Sequence, residues 1–451
     1  MKNFILVFFI LTLQSCSFVN IAGVWDDASN IPVENDDTTS LETNESKERY
    51  ENIFNENKEF NEEISVKNNL VLDLEKPTRI DNWPEKYGVK TNNISNFLYI
   101  GDKLLSWKSS KLSKLSGNKN IIFYQNNLIS YDHKGKIFVY SIDQKKKLFV
   151  YDFYKKNFKH FTKRIYITVR KNVLYAVDNL GYVYAIDLEK KSLIWAKNYG
   201  IPFRSNLKIV DQQLLAANQD NVIYSIDTST GKKNWQFATK LTFLKTDFEN
   251  NFAIDKFNNN LFFLNTSGEL YSINYINQKI NWVLNFKNSS AVGDTQLFLS
   301  QPIVIKNDSL IVATEKATLY YDIQNALKKW NFPSGSIVRP ILTSNSSYIV
   351  SKNGLLICIE NTTGKVLWSV SIYKGLERKI KNKIGNFYDF KIVNGEINLF
   401  SKNGYLLVFN HKNGIFKYAK KISKSGIKSE AVFLKGNMFL LDDKNRLLKF
   451  N

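Results

Sequence analysis

The chain has 451 residues but only two cysteines, three histidines and two methionines. Two cysteines make no disulfide framework, so the fold must rest on its core. With 43% apolar and 14% aromatic residues it can build one. Cys358, in the apolar run Leu355–Glu360, reads as a small core residue. His133, His160 and His411 are scattered, two of them in turn-like segments, and none has metal-ligand spacing with Cys or an acid. There is no Gly-rich phosphate loop, no Gly-x-Ser-x-Gly elbow and no zinc-protease motif. Carboxylates fall mostly at strand ends and turns, where turn chemistry explains them better than general acid–base work. The expectation is a protein that is not an enzyme, with no cofactor and no metal. The apolar stretch Phe4–Leu13 has ten residues, too short to span a bilayer and suited to the apolar region of a secretory signal.

What the chain does have is a repeat. Seven times a polar residue ending a short apolar strand is followed eight positions later by a large aromatic. The pairs are Asp143/Tyr151, Asp187/Trp195, Asp227/Trp235, Asn274/Trp282, Asp322/Trp330, Glu360/Trp368 and Asn410/Tyr418. Successive polar members lie 38 to 50 residues apart, and an eighth, Asn451, follows Asn410 by 41. Such a unit of several short strands is the signature of a β-propeller. Within 341–370, strands at Ile341–Thr343, Tyr348–Ser351, Leu355–Glu360 and Val366–Val370 are separated by turns at Asn353-Gly354 and Thr362-Thr363-Gly364. That is one four-stranded blade. The recurring Asp or Asn starts a turn by bonding nearby backbone amides. The recurring ring at one place in every blade points to packing between blades rather than to a ligand platform.

The eighth unit ends at Asn451 without its aromatic strand. A matching fragment, Leu104-Leu105-Ser106-Trp107-Lys108, precedes the first full repeat. The expectation is an all-β, eight-bladed propeller of four-stranded antiparallel blades over 77–451, its last blade closed by the strand around Trp107. Closure removes exposed sheet edges.

The ends add an address. Leu13-Gln14-Ser15-Cys16 resembles a bacterial lipobox, which implies cleavage of residues 1–15 as a signal peptide and lipidation of Cys16. Ser17 after the cysteine implies the outer membrane under the bacterial sorting rule, with acyl chains as the anchor. Residues 26–75 carry fifteen acids against four bases, so 16–76 reads as a lipidated acidic tether, largely disordered. The whole chain is +20, so residues 76–451 carry about +30. Export and a Lys-rich composition throughout make nucleic acid an improbable partner; an anionic lipid or acidic partner suits the charge better. The densest basic cluster, Arg378, Lys379, Lys381 and Lys383 with Lys374, lies in a long insert between blades and is a secondary candidate contact surface.

The pattern Ser/Ala-Ile-Asp, Thr-Gly-Lys, Trp, clearest at Ser225–Trp235 and Ile359–Trp368, resembles the quinoprotein-type eight-bladed repeat. Within that group the chain resembles the BamB family of the outer-membrane β-barrel assembly machinery. Asn82-Trp83-Pro84, Ser289–Val304 and the insert Tyr373–Gly385 resemble its alphaproteobacterial members. The resemblance implies a periplasm-facing outer-membrane lipoprotein that binds the POTRA domains of BamA and other machinery subunits. It would aid delivery of unfolded outer-membrane proteins without covalent chemistry. In the family two neighbouring inter-blade loops make that contact. A Leu-x-Leu-Arg segment reads here as Thr242-Phe243-Leu244-Lys245, and an Asp-x-Asp segment aligns with Leu297-Phe298-Leu299, preceded by Gln296. The candidate partner residues are therefore Thr242, Phe243, Leu244, Lys245, Gln296, Leu297 and Leu299, although both aspartates are absent. The same repeat leaves open a quinone-cofactor dehydrogenase, whose adjacent cysteine pair and calcium-binding acids this chain lacks, or an envelope propeller that binds polysaccharide or peptidoglycan.

Overall fold

Short runs that are apolar at nearly every position need burial on both faces, and eight radially packed sheets supply it. A computed structural model describes residues 48–50, 59–66, 72–115, 119–154, 158, 160–243, 245–286 and 297–451. Residues 1–47 lie outside the described residues. Cys16 and most of the expected tether therefore lie outside them too.

The remainder is an eight-bladed propeller. Blades I to VII are antiparallel meanders over 122–152, 165–198, 208–238, 251–285, 304–332, 341–371 and 387–421. Blade VIII joins 432–450 to Leu105–Lys111. Closure is in antiparallel register, with Leu105 opposite Phe450, Trp107 opposite Lys449 and Lys108 opposite Leu448. Asp102 and Leu104 donate backbone N–H groups to the Asn451 carbonyl at 3.0 and 3.1 Å. First strands line the axis, and the second and third strands are almost wholly buried, as in Ser346–Val350 and Leu355–Glu360.

The recurring tryptophan sits in the wedge between blades. Trp195 of blade II donates Nε1–H to the Thr228 carbonyl in the last turn of blade III. Trp282 does the same to Ile323 of blade V and Trp330 to Asn361 of blade VI, each at 2.9 Å. The turn that receives Trp330 contains Gly364 at φ +73°, where a Cβ would stand 2.6 Å from the indole. In three wedges the next blade supplies a glycine turn against the ring: Gly231 under Trp195, Gly364 under Trp330 and Gly414 under Trp368, whereas the turn that receives Trp282 has Ala326 in that place. Trp235 differs, donating within its own blade to Gln213 Oε1 at 3.1 Å. Trp368 is fully buried against the Gly414 turn with no bond from its Nε1 among the described residues. Trp107 and Tyr151 are half-buried, Trp107 beside Tyr140 and Tyr151 beside Phe153. Tyr418 is more exposed, and its hydroxyl accepts from Lys103 Nζ at 3.0 Å.

Two arrangements upstream of the blades were not read from the sequence. Parts of the expected tether bind the propeller edge. Glu48–Tyr50 pairs in parallel with Val283–Asn285, the outer strand of blade IV. Phe60 donates its N–H to Pro333 O at 2.9 Å and packs on Phe332, and Ile64 exchanges backbone bonds with Ser369 of blade VI at 3.0 and 2.9 Å. The second arrangement is a collar. Residues 83–100 make one circuit inside the ring and bond to every blade in order. Trp83 pairs with Phe123 of blade I, and Pro84 O accepts from Val169 of blade II. Val89 O then takes Lys208 Nζ of blade III, and Lys90 and Thr91 carbonyls take Ile254 and Ile305 of blades IV and V. Ser95 reaches Leu342 of blade VI, Phe97 reaches Ile392 of blade VII and Ile100 reaches Gly436 of blade VIII.

Candidate partner site and axial ion network

In each meander the second-to-third turns and the inter-blade loops share one face of the ring, here the loop face. First-to-second and third-to-fourth turns share the opposite one, the turn face, on which the collar lies. Both candidate partner loops leave the loop face, from blade III to IV and from blade IV to V. The structure brings them together. Phe298, buried between Leu297 and Leu299, packs edge-on to Phe248 with ring centroids 5.4 Å apart, and stacks with Phe286 at 6.4 Å. Thr246 Oγ1 donates to Phe298 O at 3.2 Å, tying one loop to the other. With Phe298 turned inward, Leu297 and Leu299 are left partly exposed, as the alternation of an extended segment requires. Phe243 is 87% exposed and Leu241 46%. These four are exposed apolar side chains on two loops whose bases are tied together by buried aromatics.

Lys245 does not point to a partner. Its Nζ donates to Gln219 O at 2.6 Å and to Thr242 O, and burial pulls its ammonium below the ordinary lysine range. Its charge holds the loop's shape, and Arg204 adds a bond to Thr246 O. Thr242 is half-buried, and Leu244 and Gln296 lie outside the described residues. The basic insert is elsewhere on the loop face, between blades VI and VII. Arg378–Lys381 forms a single helical turn with Arg378, Lys379, Lys381 and Lys383 exposed. Lys374 there pairs with Glu63 of the edge-bound segment at 2.7 Å.

The axis holds what no motif announced. Glu85 of the collar, 1% exposed, receives Lys208 Nζ at 2.7 Å and also pairs with Lys90. Burial raises a carboxyl, but Lys208 and Lys90 outweigh it and hold Glu85 below the usual range. Burial pulls Lys208 down to about 8, in spite of Glu85. On the far side Lys391 pairs with Asp389 and, at 3.3 Å, with Glu430, and burial pushes Asp389 up to about 6. On the loop face the axis opens as a cavity of about 470 Å³ lined by Lys163, Arg164, Asp247, Glu249 and Lys428. Near its floor Glu249 accepts from Tyr166 at 2.8 Å and from Lys86 of the collar at 3.3 Å. Two of these pairs, Lys208 with Glu85 and Lys86 with Glu249, join the collar to blade residues more than a hundred positions away, which suits locking a collar. Cys358 is buried, with its thiol pushed up to about 12 by burial, and so is held as an unreactive core group. Among the described residues no cluster of three or more His, Cys, Asp or Glu is placed to hold a metal ion, and no helix is long and apolar enough to cross a membrane.

The family model for outer membrane protein assembly factor BamB matches residues 107–370, more than half of the chain. The chain belongs to the BamB family. A BamB of Moranella endobia (strain PCIT) is 19% identical over 277 residues, covering 56% of this chain and 66% of that protein, just under two thirds of its length. Among solved structures, BamB from Moraxella catarrhalis superposes with a TM-score of 0.60 at 13% identity, over 77% of this chain and 99% of that one. Quinohemoprotein alcohol dehydrogenase from Comamonas testosteroni superposes as well, with a TM-score of 0.61 at 9% identity, over 83% and 81%. At these identities the superpositions show the fold alone, since one fold carries unrelated activities. Measured against the BamB reading, the patch of Leu241, Phe243, Leu297 and Leu299 has a sequence signal in its apolar loop runs. The axial network has none.

Proposed function

We propose that this BamB-family chain is a non-catalytic scaffold of outer-membrane protein assembly, held at the outer membrane by lipid on Cys16 and facing the periplasm. Its partner is the POTRA region of BamA, met through Leu241, Phe243, Leu297 and Leu299. The observation that carries the reading is the joining at their bases of two loops some fifty residues apart, each with exposed apolar side chains. An apolar centre with a polar rim, already ordered before contact, is what a specific interface needs. Delivery of unfolded clients follows from holding such a scaffold beside the barrel-forming subunit. With both aspartates of the family's second loop motif absent, the apolar side chains carry the contact in this reading.

The test is co-purification with BamA POTRA domains. Phe243→Glu with Leu297→Glu should lower recovery about tenfold or more, because each places a charge in an apolar contact. The melting temperature should hold, since both side chains are exposed. Full recovery with both changes removes this patch from the interface. Lys245→Glu acts differently: it breaks the loop's internal bonds, so its loss of binding should come with local loosening of 241–248.

A further inference from the structure

The turn face carries features that the loop-face patch does not use. Every blade ends there in tight turns, so the turn tips around the ring lie near one plane. Six exposed apolar side chains stand on those tips or on the closing segment beside them: Phe257, Ile276, Leu327, Ile415, Ile100 and Leu104. Phe257 is 98% exposed, at the end of the first turn of blade IV. Single exposed apolar residues are ordinary on a protein surface, but six on one rim spread over four blades are not.

Exposed lysines stand beside them in the chain. Lys256 precedes Phe257, Lys279 closes the turn of Ile276, Lys328 and Lys329 follow Leu327, and Lys412 shares the turn of Ile415. Where blades III and VI lack an apolar tip at the place of Leu327 and Ile415, Lys232 and Lys365 occupy it. The acids of the same turns are held differently. Asp322 Oδ1 accepts the Gln324 N–H at 3.0 Å, and its other oxygen is 3.6 Å from Lys329. Asp227 is held below the usual carboxyl range by the Ser229 and Thr230 hydroxyls and amides. The carboxylates are satisfied within their own turns, Asp322 with the help of Lys329, while Lys232, Lys256, Lys279, Lys365 and Lys412 stand exposed at the rim with the apolar tips.

We propose that the turn face docks on an anionic bilayer surface. The apolar tips enter the headgroup boundary, and the lysines meet lipid phosphates. The physics is that of interfacial anchors, where apolar insertion and cationic attraction add. A planar ring of tips meets a plane with several contacts at once, which multiplies weak ones. The partner patch stays free on the opposite face, so the inference goes beyond the scaffold reading and is tested without BamA.

The experiment uses the chain from residue 16 with Cys16→Ser, so that no acyl chain contributes. It is co-sedimented with vesicles of phosphatidylcholine alone or mixed with phosphatidylglycerol. Binding should be about tenfold or more tighter to the mixed vesicles and should weaken as salt rises. Phe257→Asp with Ile276→Asp and Leu327→Asp should reduce it about tenfold, and so should Lys256→Glu with Lys279→Glu and Lys328→Glu. Phe243→Glu, on the other face, should leave it unchanged, and matching melting curves confirm that the variants are folded. Equal binding to both vesicle types, or unaltered binding by either triple variant, overturns the proposal. So does a triple variant that keeps vesicle binding but loses capture of an unfolded outer-membrane protein, which would make the rim a polypeptide surface.

Discussion

At the wedge between blades V and VI, the contact is an indole lying on a glycine turn with its N–H on a neighbouring carbonyl. At the axis, the contact is a carboxylate caught between two ammonium groups from distant parts of the chain. The first arrangement is found again where Trp195 lies on Gly231 and donates to Thr228 O, and is built from residues whose spacing along the chain repeats. The second occurs once and joins Glu85 to Lys208 across 123 positions. The ring is thus held by apolar surface removed from water, which tolerates small changes. The collar is held by buried charge, which is costly to leave unpaired. Two regions of one fold should therefore fail in different ways.

The largest effect comes from cutting where the two meet. Deleting 97–110 removes the end of the collar and the strand opposite Arg446–Phe450, leaving blade VIII with an open edge. The expected outcome is loss of the cooperative melt, with aggregation. A deletion protein that melts as the parent does would mean that seven blades suffice.

Next come the single residues. Glu85→Ala leaves Lys208 buried without its carboxylate and should cost about 3–5 kcal/mol. Trp368→Ala empties a fully buried site and should cost a similar ~3–5 kcal/mol. The two are told apart by restoring volume without charge. Trp368→Phe should recover most of the loss, whereas Glu85→Leu should not, because Lys208 then has no carboxylate and must either stay charged in a buried site or give up its proton. Chemical denaturation of the four variants reads all of this.

That contrast explains what could be read from the sequence. Asp187/Trp195 and its repeats declare themselves because a blade is local: four strands, their turns and the aromatic fall within about fifty residues. The partner on blade VIII was also legible, since Trp107 is a misplaced copy of a repeated element. The collar was not. Asn82-Trp83-Pro84 was noticed only as a family resemblance, and nothing in the run to Ile100 says that each residue faces a different blade. Lys208 and Lys391 look like surface lysines of a Lys-rich chain, and only the closed ring buries them. The site shows the same division. Leu297 and Leu299 were visible as an apolar run, while the internal bonds of Lys245 were not, because its acceptors, Gln219 O and Thr242 O, are set by backbone path.

The axial network also predicts a pH signature. Lys208 has a folded value near 8, below the ordinary 10.5. Between these values the folded state gives up the proton before the unfolded state does. Unfolded chains then bind more protons, so stability attributable to this group rises as pH goes from about 8 to 10.5. The gain is at most about 3 kcal/mol. It should appear as a growing stability difference between the parent and Lys208→Gln across that range, because other groups titrate equally in both. A constant difference would mean that Lys208 is not held in the buried environment described.

The smallest effect sharpens the ring side of the comparison. Gly364 and Gly200 both have positive φ, +73° and +79°, so alanine at either carries the same left-handed strain of about 1–2 kcal/mol. They differ in what lies beyond the missing Cβ. At Gly364 it would meet Trp330 at 2.6 Å, and at Gly200 there is nothing within 4 Å. Gly200→Ala therefore measures backbone strain alone. Gly364→Ala adds the displacement of the indole and its bond to Asn361, for roughly another 1–3 kcal/mol. If the two alanines cost the same, the tryptophan is not wedged against the turn, and the repeat's spacing needs another cause. If Gly364→Ala costs more and also shifts the Trp330 fluorescence, the interlocking of ring and turn is what the repeat encodes.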